Sequence, residues 1–307
     1  MDGITVLYIA GYGRSGSTLL DVVLGSHDRA VGVGELVFLG EEWLHAGRSC
    51  ACGEDYMECP YWRDVFTTSQ EARELTRLVR RVESRSRLLH LVAGAIPEQV
   101  RRAYRTRMRA LFSHIAKRSG ANLVIDSSKS ARRAAGRFWA LRNIAGLDVR
   151  VLHLARDGRD VLRSVAEKGT NWAAEGYRKE KKFLAVRTLV GWGLANSLAW
   201  MLGKSLGENR YLRVRFEDLL SHPESTLKRI GSFAGVDLSS VIQRVSSDQV
   251  FPVGHNVGGN RIRREKSIRI RRKDKRTRRP WSGLELRHRV LFGLFGQALN
   301  TALGYDW

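Results

Sequence analysis

The apolar residues of this chain fall into short unbroken runs, separated by longer stretches in which apolar and charged residues mix. Thr5 to Ala10, Ala30 to Val33, Asn122 to Ile125, Val149 to Leu154 and Tyr211 to Val214 have the length and composition of buried strands. The spans between them are rich in Ala, Leu, Arg and Glu, residues that favour helix. Alternation of this kind predicts an α/β fold, a three-layer sandwich with a central parallel sheet and helices on both faces. We expect residues 1–307 to form a single domain. Two stretches exceed a minimal α/β unit. Residues 40–120 read as an insertion, a cysteine loop followed by helices crowded with Arg101, Arg102, Arg105, Arg107 and Arg109. Arg261 to Arg279 is a basic run of twelve Lys and Arg against two acids, which reads as a solvated face or a tail.

The first strand runs into Gly11-Tyr-Gly-Arg-Ser-Gly-Ser-Thr18, and an apolar stretch suited to a helix follows from Leu19. Strand, glycine-rich turn and helix start together aim backbone N–H groups and a helix dipole at an anion. A loop for a Mg-bound triphosphate carries Lys after its second conserved-spacing glycine. Here Ser17 stands in that place, and the cation has moved to Arg14. The loop therefore suits a different anion. The plainer alternative is a Gly/Ser turn joining a strand to a helix.

Net charge widens the anion theme. The chain carries a formal charge of +22 and a pI near 10.7, with Arg outnumbering Lys by 42 to 11. Such a balance calls for an anionic partner: nucleotide phosphates, an acidic polymer, nucleic acid or a membrane surface. A GC-rich codon supply also explains the Arg bias. Nucleic acid is the weaker expectation, because no aromatic platform, zinc finger or RNA-binding signature accompanies the charge. Neither a signal peptide nor a membrane-length apolar segment is visible, so the sequence reads as a cytoplasmic protein with room for peripheral membrane contact. Cys50, Cys52 and Cys59 cluster with His45 just before them. Zinc, one disulfide with a spare thiol, and three free thiols all remain open, although the C-x-C-x₆-C spacing departs from common zinc patterns.

A second segment, His153-Leu-Ala-Arg156-Asp-Gly-Arg-Asp-Val-Leu-Arg-Ser164, places Arg156 at a strand end and Ser164 in the next helix. Strand ends face the ligand crevice of an open α/β sheet. Arg156 and Ser164 can hold one phosphate between a guanidinium fork and a hydroxyl.

With both segments in hand, the chain resembles the sulfotransferases that use 3′-phosphoadenosine 5′-phosphosulfate (PAPS). Gly13 to Thr18 match that family's P-[K/R]-S-G-[S/T]-T loop, and Arg156 to Ser164 match its R-D-P-R-D-x-x-x-S motif. Arg215-Phe-Glu-Asp-Leu219 with His222-Pro223 resembles its Y-E-D-L…P segment. Gly258-Gly-Asn-Arg261 resembles the late glycine loop of bacterial members, and Cys50-Ala-Cys-Gly53 with Cys59-Pro-Tyr-Trp62 resembles a cysteine loop in some of them. Gly13 and Gly158 replace two motif prolines. The matches spread from residue 11 to about 281, nearly the whole chain.

The resemblance implies a nucleotide-kinase-like (P-loop-like) topology and sulfuryl transfer from PAPS to a hydroxyl of a sugar, lipid-linked or other small acceptor, leaving 3′,5′-ADP. It implies that Gly13, Arg14, Ser15, Gly16, Ser17 and Thr18 hold the 5′ end, and that Arg156 and Ser164 hold the 3′-phosphate. Gly259, Asn260 and Arg261 would close over the nucleotide, and residues 40–120 would shape the acceptor pocket. Protein cations and amides can meet the developing charge without a metal. Arg14 is the candidate beside the leaving oxygen, and Lys129, at the end of the third strand, is the candidate beside the sulfuryl group. Glu35, following the second strand, occupies the place of the family's carboxylate base. The alternative base, a His two residues after a strand-end Lys, is replaced by Ala131. A capping or salt-bridged role is the alternative for Glu35, and His27 and His45 are rival bases. Asn122 to Asp126 also resembles the strand and Asp of a nucleotide hydrolase, so a Mg-dependent kinase or NTPase stays open. So does a basic binding protein without catalysis.

Overall fold

The computed structural model describes residues 3–131, 133–169, 183–272 and 285–305. Five parallel strands form the central sheet: β1 (Thr5–Gly11), β2 (Ala30–Gly34), β3 (Leu123–Asp126), β4 (Asp148–Ala155) and β5 (Tyr211–Arg215), in the order β2-β3-β1-β4-β5. Every predicted strand is present, displaced by a residue or so at its ends. The inner strands were legible because both faces of the sheet are covered there, so β1 is apolar over Val6 to Ala10 and β3 over Leu123 to Ile125; edge strand β5 carries Arg213 and Arg215 and is mostly half-buried.

β1 shows the two-sided burial most clearly. Val6, Tyr8 and Ala10 point into one apolar cluster, and Leu7 and Ile9 into the other, as the two-residue period of a strand requires. The second cluster is closed by α1 (Ser17–Leu24), and by helices that follow β5. The first is closed largely by residues 40–120. That stretch opens within α2 (Leu39–Leu44) and continues through α3 (Ser69–Glu83), α4 (Leu88–Val92) and α5 (Glu98–Ser119). Tyr104, Met108, Leu111, Phe112 and Ile115 of α5 are all buried, a helical stripe laid on the sheet. The segment thus supplies much of one layer of the sandwich, with α5 as the helix leading into β3.

The crowded arginines of α5 serve this packing. Arg105 Nε donates to the carbonyl of Ile144 at 2.9 Å, and Arg109 Nε to that of Ala145 at 2.7 Å. These carbonyls end a short helix, α6 (Arg137–Trp139), that runs into a π-helical turn. Arg107 pairs with Glu71 and Glu74 of α3 at 3.0 and 3.1 Å.

After β4 come α7 (Gly158–Lys168) and α8 (Leu184–Leu206); after β5 come α9 (Phe216–Ser221), α10 (Pro223–Ala234) and α11 (Ser239–Ser246). Further along the chain, residues 255–260 form a strap beside edge strand β2, joined to it by an isolated parallel bridge between Gly34 and Val257. No helix among the described residues is long and apolar enough to cross a membrane. The basic run is partly described. Arg269 pairs with Asp248, Arg272 pairs with Glu224, and Arg263 is buried, while Lys273 to Arg279 lie outside the described residues.

Candidate active site

The carboxyl ends of β1, β2, β3 and β4 deliver most of the site predicted from sequence. The turn after β1 is built on two left-handed residues, Arg14 at φ 65° and Gly16 at φ 85°. Gly16 is the N-cap of α1 and has no side chain with which to cap it, so the first-turn N–H groups of Ser17 and Thr18 face the turn. Gly16 also has to be glycine for space: a Cβ there would stand 2.2 Å from the Phe216 ring. Ser15, Ser17 and Thr18 are buried, and Ser15 Oγ has no hydrogen-bond partner.

Arg156, just past β4, bends back onto the same turn. Its Nη1 donates to the carbonyl of Arg14, and its guanidinium lies 4.9 Å from the centre of the Phe216 ring. Its Nε is buried without a partner. Phe216 was quoted only as part of a motif, yet it floors Arg156 and presses on Gly16 at once. The neighbouring motif residues are structural. Arg215 pairs with Asp218 at 2.8 Å. Glu217 accepts from Asp157 N at 3.2 Å and from the Tyr305 hydroxyl at 2.8 Å, and burial raises its pKa. Ser164 lies on α7, half-buried. Gly13 has open space about it, and the Arg14 guanidinium donates to the carbonyl of Gly169 at the end of α7.

On the other side of the turn, Glu35 follows β2 and forms an ion pair with Lys129, which follows β3. Both side chains are largely buried. Lys129 adopts a left-handed backbone at φ 65°, and its carbonyl accepts from the Tyr8 hydroxyl. Sequence reasoning named both residues and missed that they touch; Glu35 is a paired carboxylate, and the salt-bridged alternative describes its resting state.

The strap closes this side. Glu35 N donates to Val257 O at 2.6 Å, and Val257 N to Val33 O at 2.9 Å. Gly34, at φ 73°, permits the approach, since a Cβ there would lie 2.4 Å from Val257 O. The backbone of Gly258 and Gly259 passes against Glu35 and Thr18. Asn260 N donates to Thr18 Oγ1 at 3.0 Å, while its side chain caps the turn that begins at Arg261 by accepting from Ile262 N at 3.2 Å. Asp21, on α1, ties the same parts together. Its carboxylate accepts from Gly34 N at 3.1 Å and from the Asn256 side chain, and burial raises its pKa to about 7. Nothing in the local pattern around Asp21 marked it, because Asn256 is distant in sequence.

Several rivals fall away. His27 sits in the turn between α1 and β2, at the opposite edge of the sheet from the loop, where its Nδ1 accepts from Arg29 N at 3.1 Å. His45 is exposed at the end of α2 and is not among the groups that could hold a metal; His255 approaches the three cysteines instead. Asp126, the candidate metal ligand of a nucleotide hydrolase, is engaged by Arg137 Nε at 2.6 Å and by Ser128, in a fully buried cluster that also holds Glu83. His153 is buried between Tyr211 and Asn196, and burial lowers its pKa to about 4, leaving it neutral at pH 7. Two hollows in the surface of the described residues, one beside Lys228 and Ile242 and one beside Phe66 and His114, contain none of the site residues.

A five-stranded parallel sheet flanked by helices, with an uncapped helix N-terminus after its central strand, defines an α/β protein of the P-loop-like class. The Sulfotransferase family model matches residues 7–240, and the chain belongs to that family. Its fold is shared by the sulfotransferase domain of an olefin synthase from Synechococcus PCC 7002, at TM-score 0.54 and 20% identity over 99% of this chain and 95% of that one. The sulfotransferase domain of the curacin biosynthetic pathway gives 0.53 and 17% over 100% and 99%. Sulfotransferase STF9 from Mycobacterium avium gives 0.51 and 13% over 98% and 77%. No curated protein sequence matches the chain.

Proposed function

We propose that this sulfotransferase takes its sulfuryl group from PAPS and passes it to a hydroxyl of a sugar, a lipid-linked group or another small molecule. The observation that carries the reading is that two buried atoms beside the uncapped start of α1, Ser15 Oγ and Arg156 Nε, have no hydrogen-bond partner among the described residues. Buried polar groups are ordinarily hydrogen-bonded, so an anion seated here supplies what the protein leaves open. The engagement of Asp126 by Arg137, with Ser17 in place of the lysine, counts against a Mg-bound triphosphate.

In this scheme Gly13 to Thr18 hold the 5′-phosphosulfate and Arg156 with Ser164 holds the 3′-phosphate. Gly259, Asn260 and Arg261 of the strap cover the nucleotide. Sulfuryl transfer, like phosphoryl transfer, runs in line through a loose transition state. The bond from sulfur to the bridging oxygen breaks while the bond from the acceptor oxygen to sulfur forms. The acceptor proton passes to Glu35, and the electron pair leaves on 3′,5′-ADP. Arg14 meets the charge growing on the bridging oxygen, and Lys129 both orients Glu35 and adds positive charge beside the sulfuryl group. Residues 40–120, which open shortly after Glu35, shape the acceptor side.

Incubating the purified chain with PAPS and a cell extract, then searching by mass spectrometry for added sulfuryl groups, tests the reading. We expect a sulfated product that requires both chain and PAPS. Mg-dependent ATP turnover with no sulfated product would overturn it.

A further inference from the structure

The three cysteines converge on a residue nearly two hundred positions away. The ligand atoms of Cys50, Cys52, Cys59 and His255 all lie within 4.8 Å of one another. Cys59 Sγ is 3.2 Å from His255 Nδ1, Cys50 Sγ is 3.8 Å from the same nitrogen, and Cys52 Sγ is 3.7 Å from Cys59 Sγ. Zinc bonds of about 2.3 Å to sulfur and about 2.0–2.1 Å to nitrogen, set tetrahedrally, put sulfurs about 3.8 Å apart and nitrogen about 3.6 Å from each sulfur. The measured separations fall around those values.

The surroundings hold these four groups in place. Cys50 to Cys52 form the tip of a small hairpin, closed by Cys50 N donating to Glu54 O at 2.8 Å and Gly53 N donating to Cys50 O at 3.0 Å. Cys59 is fixed by its N–H on Asp55 O at 2.7 Å. The two aromatic residues after Pro60 grip the histidine. The Tyr61 ring stacks on the imidazole, centres 5.1 Å apart and planes 10° from parallel, and Trp62 Nε1 donates to His255 O at 2.6 Å. That grip turns Nδ1 toward the sulfurs. Cys50 and Cys59 are buried, and no disulfide joins any pair. A disulfide would need two sulfurs at about 2.05 Å and would leave one thiol and the imidazole without a role. One tetrahedral ion uses all four.

We infer that Cys50, Cys52, Cys59 and His255 bind one zinc ion in a closed structural site that staples the cysteine loop to the strap. Four protein ligands leave no open position, so the ion supports structure rather than chemistry. Its consequence lies next along the chain: His255 immediately precedes Asn256, Val257, Gly258, Gly259 and Asn260, the residues that bond Asp21, β2 and Thr18. The ion would fix that strap from its outer end.

The test is metal analysis of the full chain, purified under reducing conditions from zinc-supplemented cells. We expect one zinc per chain, retained through desalting and released by a mercurial thiol reagent. Cys59→Ser and His255→Ala should each lose it. Should either variant fail to fold, cobalt loaded into the unaltered chain decides, with the intense visible absorption of a tetrahedral thiolate site expected. A folded wild-type chain without zinc that shows no such spectrum with cobalt, or one in which intact mass and peptide mapping find a disulfide among the three cysteines, would overturn the inference.

Discussion

Two arginines near the carboxyl edge of the sheet, Arg137 buried and Arg156 half-buried, differ in what they are bonded to. Arg137 gives Nε to Asp126 at 2.6 Å and Nη1 to both oxygens of Glu83 at 2.8 Å, so two carboxylates neutralise it. The carboxylates drive its pKa up despite the cost of burial. Tyr104 completes the cluster by donating to Glu83 at 2.7 Å. Arg156 has no carboxylate hydrogen bond among the described residues. It has a backbone carbonyl and an aromatic ring; each arginine also keeps one buried nitrogen without a hydrogen-bond partner among the described residues, Nη2 in Arg137 and Nε in Arg156, so the carboxylates are what separate them. The first arginine holds α3, α6 and β3 together. The second is bonded to the carbonyl of Arg14 in the turn after β1, and its charge is felt by the Glu217 carboxylate without a hydrogen bond between them. A buried cation hydrogen-bonded to two carboxylates serves the architecture, and we propose that the one with no carboxylate bonded to it serves an anionic ligand.

The same contrast separates two glutamates, and it gives the largest expected effect. Glu83 is locked against Arg137, whereas Glu35 meets Lys129 beside the strap. Glu35→Gln keeps shape but cannot take a proton, so we expect turnover to fall by ~10²–10⁴-fold with 3′,5′-ADP binding nearly unchanged. Lys129 loses its ion-pair partner, so the melting temperature falls as well, by less than in Glu83→Gln, whose pair is fully buried. Glu83→Gln should lower the melting temperature more, while the protein that stays folded keeps its turnover. Thermal melts paired with turnover check both. A folded Glu35→Gln that retains wild-type turnover would move the base to another group.

The arginines themselves sharpen the comparison at a smaller scale. Arg137→Ala strands two buried carboxylates and should destabilise the protein by about 3–5 kcal/mol, read as a drop in the denaturant midpoint. Arg156→Ala should leave that midpoint almost in place and weaken 3′,5′-ADP binding by about 1.5–3 kcal/mol for each charge-assisted bond lost. Equal effects of the two substitutions on stability, with none on the nucleotide, would erase the distinction.

The contrast also explains what could be read from the chain alone. β1 and β3 were legible because their side chains are buried on both faces, and the loop because Gly11 and Gly16 bracket a cation at fixed spacing from the end of β1. Which charges were spent was not legible. Asp126 resembled the Asp of a nucleotide hydrolase until Arg137 was seen on it, and the crowding of arginines in α5 gave no sign that Arg105 and Arg109 bond the carbonyls of Ile144 and Ala145. His45 was the nearest histidine to the cysteines in sequence, but His255 is the one in space. Each miss is a contact between residues that no local period or motif connects.

The central claim is that the unspent groups of the loop and Arg156 await a nucleotide with a 3′-phosphate. Calorimetry of the wild-type chain without Mg²⁺, titrated with 3′,5′-ADP and then with AMP, tests it most directly. The account predicts that 3′,5′-ADP binds far more tightly, by roughly ten- to a hundredfold if one charge-assisted contact decides the difference. Equal affinity for the two nucleotides would contradict it.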